Sequence, residues 1–453
     1  MSRMTFFLKA LAVGFLTLLL MIPLAMINGT IAERQNYREE AIETIAQSTA
    51  RAQSLAGPVL IVPYTDEYTS VVTDEKGRQT LTRNKVEQHW TFFPKTLAMT
   101  GRMQPDELKL GLHRVRVYEL RSQLQARFLQ ELPVATDGAT RTVGRPYLSL
   151  SVADVRGVVG TPVLTVNGAR TALLQGAGAY REDTGLHAPL AAARPGDKLD
   201  LGVQLDLVLK GTEALNIVPI ADSNRITIDS AWPHPQFGGS FSPRSRHVSE
   251  KGFDALWEIS SLAASTQAQY LHDKTGDSMD RLRISLVDPV NIYTQADRAS
   301  KYGFLFVMLT FVGFFMFELI KRLAIHPIQY GLVGLALAIF FLLLISLSEH
   351  MEFWIAYLAA SIACIGLLGV YLSAVLHSAV RGASFASMLT LLYAALYGLL
   401  VSEDNALVLG SLMLFVILAA IMLVTRRIDW YALGNNGTEP PPLPAASAGA
   451  GKP

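Results

Sequence analysis

Two acidic residues and a histidine lie close together in the short polar segment ISLSEHMEFW, residues 345–354, which separates two long apolar runs. Within it, Glu349, His350 and Glu352 fall inside a window of four residues. Carboxylates and imidazoles ligate metal ions or exchange protons with a substrate. A water-facing turn between membrane helices would carry the same residues without chemistry, and this is the interpretation we prefer. Glu349 and His350 are kept as candidate functional residues.

A second distinctive segment is DSAWPHPQFGGSF, residues 229–241. Trp232 and His234 alternate there with two prolines, each of which fixes its own φ and restricts the residue before it. Such a rigid aromatic segment either packs on a sheet as a loop or forms a recognition edge, and we prefer the packed loop. The fifth candidate is His326, next to Pro327 at the start of an apolar run, where the missing proline N–H costs nothing.

Motifs of the common enzyme classes are absent from the sequence. It lacks G-x-S-x-G, H-E-x-x-H, the P-loop and the dinucleotide fingerprint. The single cysteine, Cys364, lies in an apolar run, so the polar middle of the chain has neither a disulfide nor a thiolate ligand. A net charge of +1 without a basic stripe does not indicate a nucleic-acid partner. We therefore predict a non-enzymatic protein without a metal or another cofactor.

The long apolar stretches predict the helices that position these residues. A membrane-spanning helix needs about 20 predominantly apolar residues. Stretches of about this length occur at residues 6–27, 302–319, 327–347, 353–376, 382–401 and 406–425, which predicts six transmembrane helices. The first is predicted to be an uncleaved signal anchor, because its apolar run exceeds a signal-peptide core and no A-x-A site follows it.

The Lys and Arg residues of the short connections predict the orientation, since basic connections face the cytoplasm. Alternate connections and ends are basic, with Arg3, Lys9, Lys321, Arg322, Arg381, Arg426 and Arg427, whereas the others carry Glu349, Glu352, Glu403 and Asp404. This alternation predicts that both termini are cytoplasmic and that residues 28–301 face the periplasm. Arg34, Arg38, Arg298 and Lys301 oppose the pattern, but large domains translocate largely regardless of charge.

The polar region between the first two spans predicts a helical segment followed by mainly β structure. Neither Pro nor Gly interrupts residues 30–55, and Ile31, Ile42 and Ile45 recur at helical spacing, so we expect a helix over 30–56. We interpret it as a packed stalk, with a transmission rod as the alternative. Alternating runs such as LDLGVQLDLVL, between turn signals such as Asp137-Gly138, predict one or two antiparallel sandwich-like sheets. The run ELRSQLQARFLQEL fits either a strand or a helix.

The predicted fold class is an α+β membrane protein, with six transmembrane helices and a large, mainly β, sandwich-like periplasmic domain inserted between helices 1 and 2. Its domains are a cytoplasmic N-terminus 1–5, the first span 6–27, the periplasmic domain 28–301, a five-helix bundle 302–425 and a cytoplasmic tail 426–453. The tail is rich in Pro, Ala and Gly and is predicted to be disordered from about residue 434. Glu318, near the inner end of the second span, is predicted to pair locally with Lys321 and Arg322.

Several motifs resemble those of one known family. In chain order they are IAERQNYR, LAGPVLIVPY, WPHPQFGGSF, HVSEKGFDALW, DRASKYGFLF, HPIQYGLVG, LSEH and VTRRIDWYA. They are similar to motifs of the inner-membrane protein CreD family over the chain up to about Leu433, whereas the Pro-rich tail departs from it. The resemblance implies a cell-envelope integrity protein of Gram-negative bacteria, whose expression is tied to a two-component regulatory system and whose overproduction is tied to colicin tolerance. It assigns no role to His326, Glu349 or His350, although all three lie in its motifs.

We therefore predict an inner-membrane protein that contacts the lipid bilayer and presents a β-rich periplasmic domain to a protein, glycan or lipid partner of the envelope. Its oligomeric state stays open. One alternative is a transporter or flippase that uses helices 2–6. The other is a membrane-surface enzyme acting on lipid or cell-wall precursors, with Glu349, His350 and Glu352 as its acid–base group.

Overall fold

Two compact units make up the chain. The structure is a computed structural model that describes residues 3–73, 79–135, 139–273, 278–286, 292–321, 325–402 and 406–426. In the described residues, the first unit, Met1–Asn36 with Val290–Pro453, is helical, and the second, Tyr37–Pro289, is mainly β. The α+β class and the large β-rich domain are therefore confirmed. The predicted tail from residue 427 onward and the Asp137-Gly138 turn lie outside the described residues.

Helices account for almost all of the described part of the first unit. In chain order, the described helices are α1 Arg3–Leu19, α2 Met21–Ser48, α3 Thr266–His272, α4 Ile292–Lys321, α5 Pro327–Ser348, α6 Phe353–Val375, α7 Ala379–Val401 and α8 Ala406–Thr425. Only the short α3 belongs entirely to the β-rich unit.

Five helical stretches in the described ranges are long and apolar enough to cross a membrane. They are Leu11–Ser48, Thr294–Glu318, Pro327–Ser348, Phe353–Val375 and Ala379–Val401. The sixth predicted span does form a helix, α8, but its described apolar part, Val408–Leu423, is shorter. The sixth crossing therefore stays a prediction.

The first helical run is interrupted once and ends earlier than the sequence suggests. Pro23 cannot donate an N–H to the carbonyl of Leu19, where α1 ends, because proline has none. The predicted helix over 30–56 is wrong at its end, since α2 stops at Ser48 and a strand begins at Gln53. Two hydroxyls, of Ser48 and Thr49, donate to the carbonyl of Ile45 at 2.9 and 2.7 Å and compete with the next helical turn.

Strands form most of the second unit. They are β1 Gln53–Thr73, β2 Gln79–Phe92, β3 Thr96–Leu110, β4 His113–Glu131, β5 Thr140–Val143, β6 Tyr147–Val152, β7 Val163–Val166, β8 Ala169–Thr171, β9 Leu174–Gln175, β10 Gly185–Pro189, β11 Lys198–Thr212, β12 Ala214–Val218, β13 Ser223–Ser230, β14 Pro235–Gly239, β15 Ser245–Ser249, β16 Gly252–Ser260 and β17 Leu282–Leu286. The ambiguous run ELRSQLQARFLQEL belongs to β4.

These strands pair into a nine-stranded and an eight-stranded sheet. The larger runs β14-β17-β12-β1-β6-β10-β9, with β2 and β5 also paired to β1, and the smaller runs β15-β16-β13-β3-β4-β11-β7-β8. Most pairs are antiparallel, as predicted, but β1 with β12 and β3 with β13 are parallel. Alternation along a strand does not distinguish the two kinds of pairing, because the side-chain period is two in both.

The core of the β-rich unit lies between the two sheets. Its apolar cluster contains Leu60 and Leu150 of the larger sheet together with Leu124 and Leu205 of the smaller. In β11, the apolar residues from Val203 to Leu209 are buried at every second position, as the sequence pattern predicts. The unit is thus a two-sheet sandwich, in which each inner face buries the apolar half of its strands.

The helical unit packs closely where small residues allow it. A Cβ at Gly303 of α4 would lie 3.2 Å from both the Leu24 side chain of α2 and the Phe341 ring of α5. A Cβ at Gly334 of α5 would lie 2.1 Å from the end of the Leu20 side chain, so the absence of a side chain at Gly334 lets Leu20 pack against α5 in its present position. The contacts at Gly303 thus show which residues of α2, α4 and α5 lie at the same height along the three helices.

A buried ion pair links two elements of the larger sheet. Arg141 of β5 donates from Nε and Nη2 to the two carboxylate oxygens of Asp66 of β1, both at 2.7 Å, and the side chains are 13% and 5% exposed. The guanidinium also lies over the rings of Tyr64 and Trp90, 4.6 and 5.0 Å from their centroids. The hydrogen bonds from Arg141 hold the pKa of Asp66 below its ordinary value.

Replacing Asp66 with asparagine is expected to lower the free energy of unfolding by about 1–3 kcal/mol at neutral pH and to flatten its decline in acid. The folded protein keeps Asp66 ionised below about pH 4, where the unfolded chain already takes up a proton. The contribution is therefore complete above that pH and is lost as the pH falls through the lower pKa of the folded state. Urea titrations between neutral pH and about pH 3 measure it. If the stability of Asp66→Asn declined as steeply in acid as that of the unchanged protein, the lowered pKa of Asp66 would be contradicted. The control is Asp200→Asn, because Asp200 and its partner Arg127 are both 60% exposed.

Candidate functional site

The acidic turn after α5 lies next to an arginine from another helix. Glu349 caps the C-terminus of α5, and its side chain is 8% exposed. The Nε atom of Arg34 on α2 lies 3.4 Å from Glu349 Oε1, and the Arg34 side chain is 41% exposed. This oxygen of Glu349 is buried and accepts no hydrogen bond from the described residues. The turn thus contains a buried carboxylate that lies near one guanidinium without a hydrogen bond to its Oε1 atom.

The three polar residues of this turn do not converge. His350 is exposed and its Nδ1 lies 3.1 Å from the Ser346 carbonyl oxygen of its own helix. Glu352 is exposed and accepts a hydrogen bond from Trp354 Nε1 at 2.6 Å. No group of three or more His, Cys, Asp or Glu side chains in the described ranges is placed to hold a metal ion. Each side chain has a different partner, which favours the turn interpretation for His350 and Glu352.

The aromatic segment before β14 is packed at one residue and open at the next. The Arg116 guanidinium carbon lies 4.6 Å from the centroid of the half-buried Trp232 ring. Trp232 Nε1 donates to the carbonyl of His234 at 2.9 Å, while the His234 ring is exposed. Because β14 is at one end of the larger sheet, His234 lies at the edge of that sheet. Trp232 therefore has the contacts of a packed loop, and His234 has the exposure that a recognition edge needs.

His326 is part of a helix cap. Its Nδ1 accepts a hydrogen bond from the backbone N–H of Ile328 at 3.3 Å, and Gln329 Oε1 accepts one from the His326 N–H at 3.1 Å. This reciprocal pattern satisfies N–H groups that have no acceptor within α5, and Pro327 at the first helical position needs none. The contacts explain His326 by helix capping.

Sequence reasoning missed a buried carboxylate close to this cap. Glu318 of α4 is 4% exposed and accepts hydrogen bonds from the Tyr330 hydroxyl at 2.7 Å and from the Ile325 N–H at 3.3 Å. The predicted partners, Lys321 and Arg322, have side chains outside the described part of the structure. A tyrosine in an apolar helix carries no signal that it bonds a carboxylate on the preceding helix, so this pair was visible only in the folded structure.

Long apolar helices, a separate β-rich unit and charged pairs at the ends of the helices define a multi-pass membrane protein. A family model described as Inner membrane protein CreD matches residues 5–431. The inner membrane protein CreD of Escherichia coli (strain K12) is 37% identical over 419 residues, which cover 92% of this chain and 91% of that relative. The chain therefore belongs to the CreD family of inner membrane proteins, and the resemblance seen in its motifs is confirmed.

Solved structures add no functional information. An M1 zinc metallopeptidase from Deinococcus radiodurans aligns with 43% of this chain and 42% of its own, at 9% identity and a TM-score of 0.18. A two-domain M1 zinc metallopeptidase mutant bound to L-tryptophan aligns over the same shares with a TM-score of 0.19. Both scores are too low to indicate a shared fold, so no peptidase chemistry is inferred.

Proposed function

We propose that this protein supports the cell envelope without catalysing a reaction, by holding its β-rich unit in the periplasm and presenting it to an envelope partner. The unit is inserted between the first and second of six spans, and both termini are cytoplasmic. The observation that carries the proposal is the alternation of basic and acidic connections between helices of spanning length. We infer the envelope role, with its link to a two-component regulon and colicin tolerance, from what the resemblance to the CreD family implies.

The contacts of the candidate residues support this function over a membrane-surface enzyme. An acid–base site needs its groups to face one substrate, whereas Glu349 faces Arg34 and Glu352 accepts from Trp354. The exposed His234 edge is instead suited to contact with a macromolecule, because a sheet edge offers backbone groups to an incoming strand.

Cysteine accessibility tests the proposed topology. Asp200→Cys, at an exposed position of β11, is expected to react with a membrane-impermeant maleimide in cells whose outer membrane is permeabilised. His377→Cys, in the connection between α6 and α7, is expected to react only after lysis. The native Cys364 is buried and serves as the background. Protection of Asp200→Cys together with labelling of His377→Cys in unlysed cells would reverse the orientation and refute the proposal.

A photo-crosslinker at position 234 then tests the proposed partner. A discrete crosslinked product is expected from this edge position and not from position 200, which belongs to the other sheet. The product should disappear when Trp232 is replaced by alanine, because Trp232 fixes the backbone of this segment through its bond to the His234 carbonyl. If position 234 gave no product and vesicles containing the protein showed transport that Glu349→Ala abolished, the transporter alternative would replace this proposal.

A further inference from the structure

One oxygen of the Glu349 carboxylate, Oε1, has no hydrogen-bond partner among the described residues. The side chain is 8% exposed, and this buried oxygen lies 3.4 Å from the Arg34 Nε atom. A buried carboxylate is stable only when donors replace the water it has lost. The described residues supply none to Oε1, so this oxygen can accept a hydrogen bond from a ligand.

Arg34 has the complementary property. Its side chain is 41% exposed, and its Nε atom lies 3.4 Å from Glu349 Oε1. A guanidinium with free N–H groups binds phosphate oxygens, often through two parallel hydrogen bonds. An exposed cation and a buried anion thus lie side by side at the ends of two apolar helices.

A second acceptor without a donor lies at the same level of the helical unit. Gly303, Leu24 and Phe341 are level, because a Cβ at Gly303 would contact the other two residues. At a helical rise of roughly 1.5 Å per residue, three polar residues lie further along the helix axes from that level. The distances along the axes are about 12 Å for Gln295 on α4, about 15 Å for Arg34 on α2 and about 12 Å for Glu349 on α5. All three residues lie on the same side of the Gly303 level. The contacts of Gly334 show this, because they place Leu20 and Phe311 together on the opposite side of that level.

At this level the carboxamide oxygen of Gln295 is also buried without a hydrogen-bond partner in the described residues. Closer to Gly303, the hydroxyl of Ser300, a residue 3% exposed, is buried and unpartnered as well. A primary ammonium has three N–H donors and a positive charge, which matches a carboxylate and an amide oxygen better than a single water molecule does.

Together, these groups fit a ligand that has an ammonium close to a phosphate. We propose that this end of the helical unit binds a phosphoethanolamine headgroup, with its ammonium donating to Glu349 and Gln295 and its phosphate accepting from Arg34. The source is a membrane phospholipid, because the site terminates apolar helices of spanning length and the exposed Trp354 nearby in the chain is typical of the membrane interface. The inference rests on the proposed function only in placing these helices in a bilayer.

Headgroup selectivity tests the proposal. The full-length protein in neutral detergent is titrated with phospholipids that share their acyl chains and carry ethanolamine, choline or glycerol headgroups, and bound lipids are counted by native mass spectrometry. About 10-fold tighter binding of the ethanolamine lipid than of the choline lipid is expected, because a trimethylammonium has no N–H to donate to Glu349. Glu349→Gln should abolish this preference, and Arg34→Gln should weaken binding of all three lipids.

Matched variants and a soluble competitor complete the test. Glu352→Gln changes an exposed acid of the same turn and should keep the preference, and Arg34→Lys retains the charge if Arg34→Gln fails to fold. Competition by glycerophosphoethanolamine at concentrations similar to the lipid would support the same chemistry from a soluble source. Equal binding of ethanolamine and choline lipids, or a preference that survives in Glu349→Gln, would overturn the proposal. Neither result depends on the labelling of Asp200→Cys, so failure of this inference is distinguishable from failure of the proposed topology.

Discussion

Replacing Arg181 with alanine is expected to lower the free energy of unfolding of the β-rich unit by about 3–5 kcal/mol. The side chains of Arg181 and Asp183 are 4% and 8% exposed, and Arg181 donates from Nε and Nη2 to the Asp183 carboxylate at 3.0 and 2.8 Å. Its Nη1 also donates to the carbonyls of Tyr270 and Asp273 at 3.0 and 2.9 Å. Alanine would leave a buried carboxylate without its cation and two carbonyls without this donor.

The same arginine joins two segments that cover the larger sheet. Its guanidinium carbon lies 4.0 Å from the centroid of the Tyr270 ring on α3, so the hydrogen bonds of Arg181 connect the segment QGAGAY, residues 175–180, with that helix. The Tyr147 and Tyr270 hydroxyls beneath this cover have no hydrogen-bond partner in the described residues. Loss of Arg181 would therefore also admit water to two buried aromatic side chains.

Urea unfolding of the full-length protein in detergent, followed by tryptophan fluorescence, measures the effect of Arg181→Ala. Arg102→Ala is the control, because Arg102 pairs with Asp229 at 2.8 Å but is 69% exposed, and its loss should cost less than about 1 kcal/mol. Similar losses in the two variants would show that burial of the Arg181 pair does not matter.

A comparable loss, about 3–5 kcal/mol, is expected when Trp257 is replaced by alanine. Trp257 of β16 is 1% exposed and is among the largest fully buried side chains. Its Nε1 donates to the Phe241 carbonyl at 3.2 Å, and its ring lies 5.7 Å from that of Phe237, centroid to centroid. Alanine would create a cavity between the sheets and release the segment that leads from β14 toward β15.

Two measurements separate the cavity from the released segment. Urea titration reports the loss of stability, and limited proteolysis reports whether cleavage appears between residues 232 and 244. Trp257→Phe keeps an apolar ring and should lose less than the alanine variant, whereas Trp354→Ala removes a side chain that is 52% exposed and should cost little. Cleavage in that segment without a loss of stability would contradict a core role for Trp257.

The β character of the second unit was predictable because alternation is visible within each strand. In β11, side chains of opposite polarity alternate residue by residue, and burial follows the same period. Strand pairing was not predictable, because β1 pairs with β12 and β3 pairs with β13 across long stretches of chain. The end of α2 was mispredicted for a related reason, since helical spacing continued while residues Gln53 to Ala56 were drawn into a ladder with β12.

The candidate site likewise has some features that are local in the sequence and others that depend on distant residues. The segment around Glu349 and His350 stands out in the sequence as a polar interruption between apolar runs, which is a local property. Its pairing with Arg34 does not, because the two residues are more than 300 positions apart in the chain and meet only in the folded protein. His326 could be placed at a helix start from the adjacent proline, yet its capping bond and the Glu318–Tyr330 bond are visible only in the folded structure.

By itself, the sequence predicted the five long apolar helices that the described part of the structure contains, the β-rich nature of residues beyond the first of them, and the family. These properties depend on the length, period and order of neighbouring residues. The tertiary structure alone decided which strands are parallel, which charges are buried and which oxygens lack donors, because each depends on residues distant in the chain. The physical reason is that desolvation and hydrogen-bond geometry are properties of packed surroundings, and no stretch of sequence contains its own surroundings.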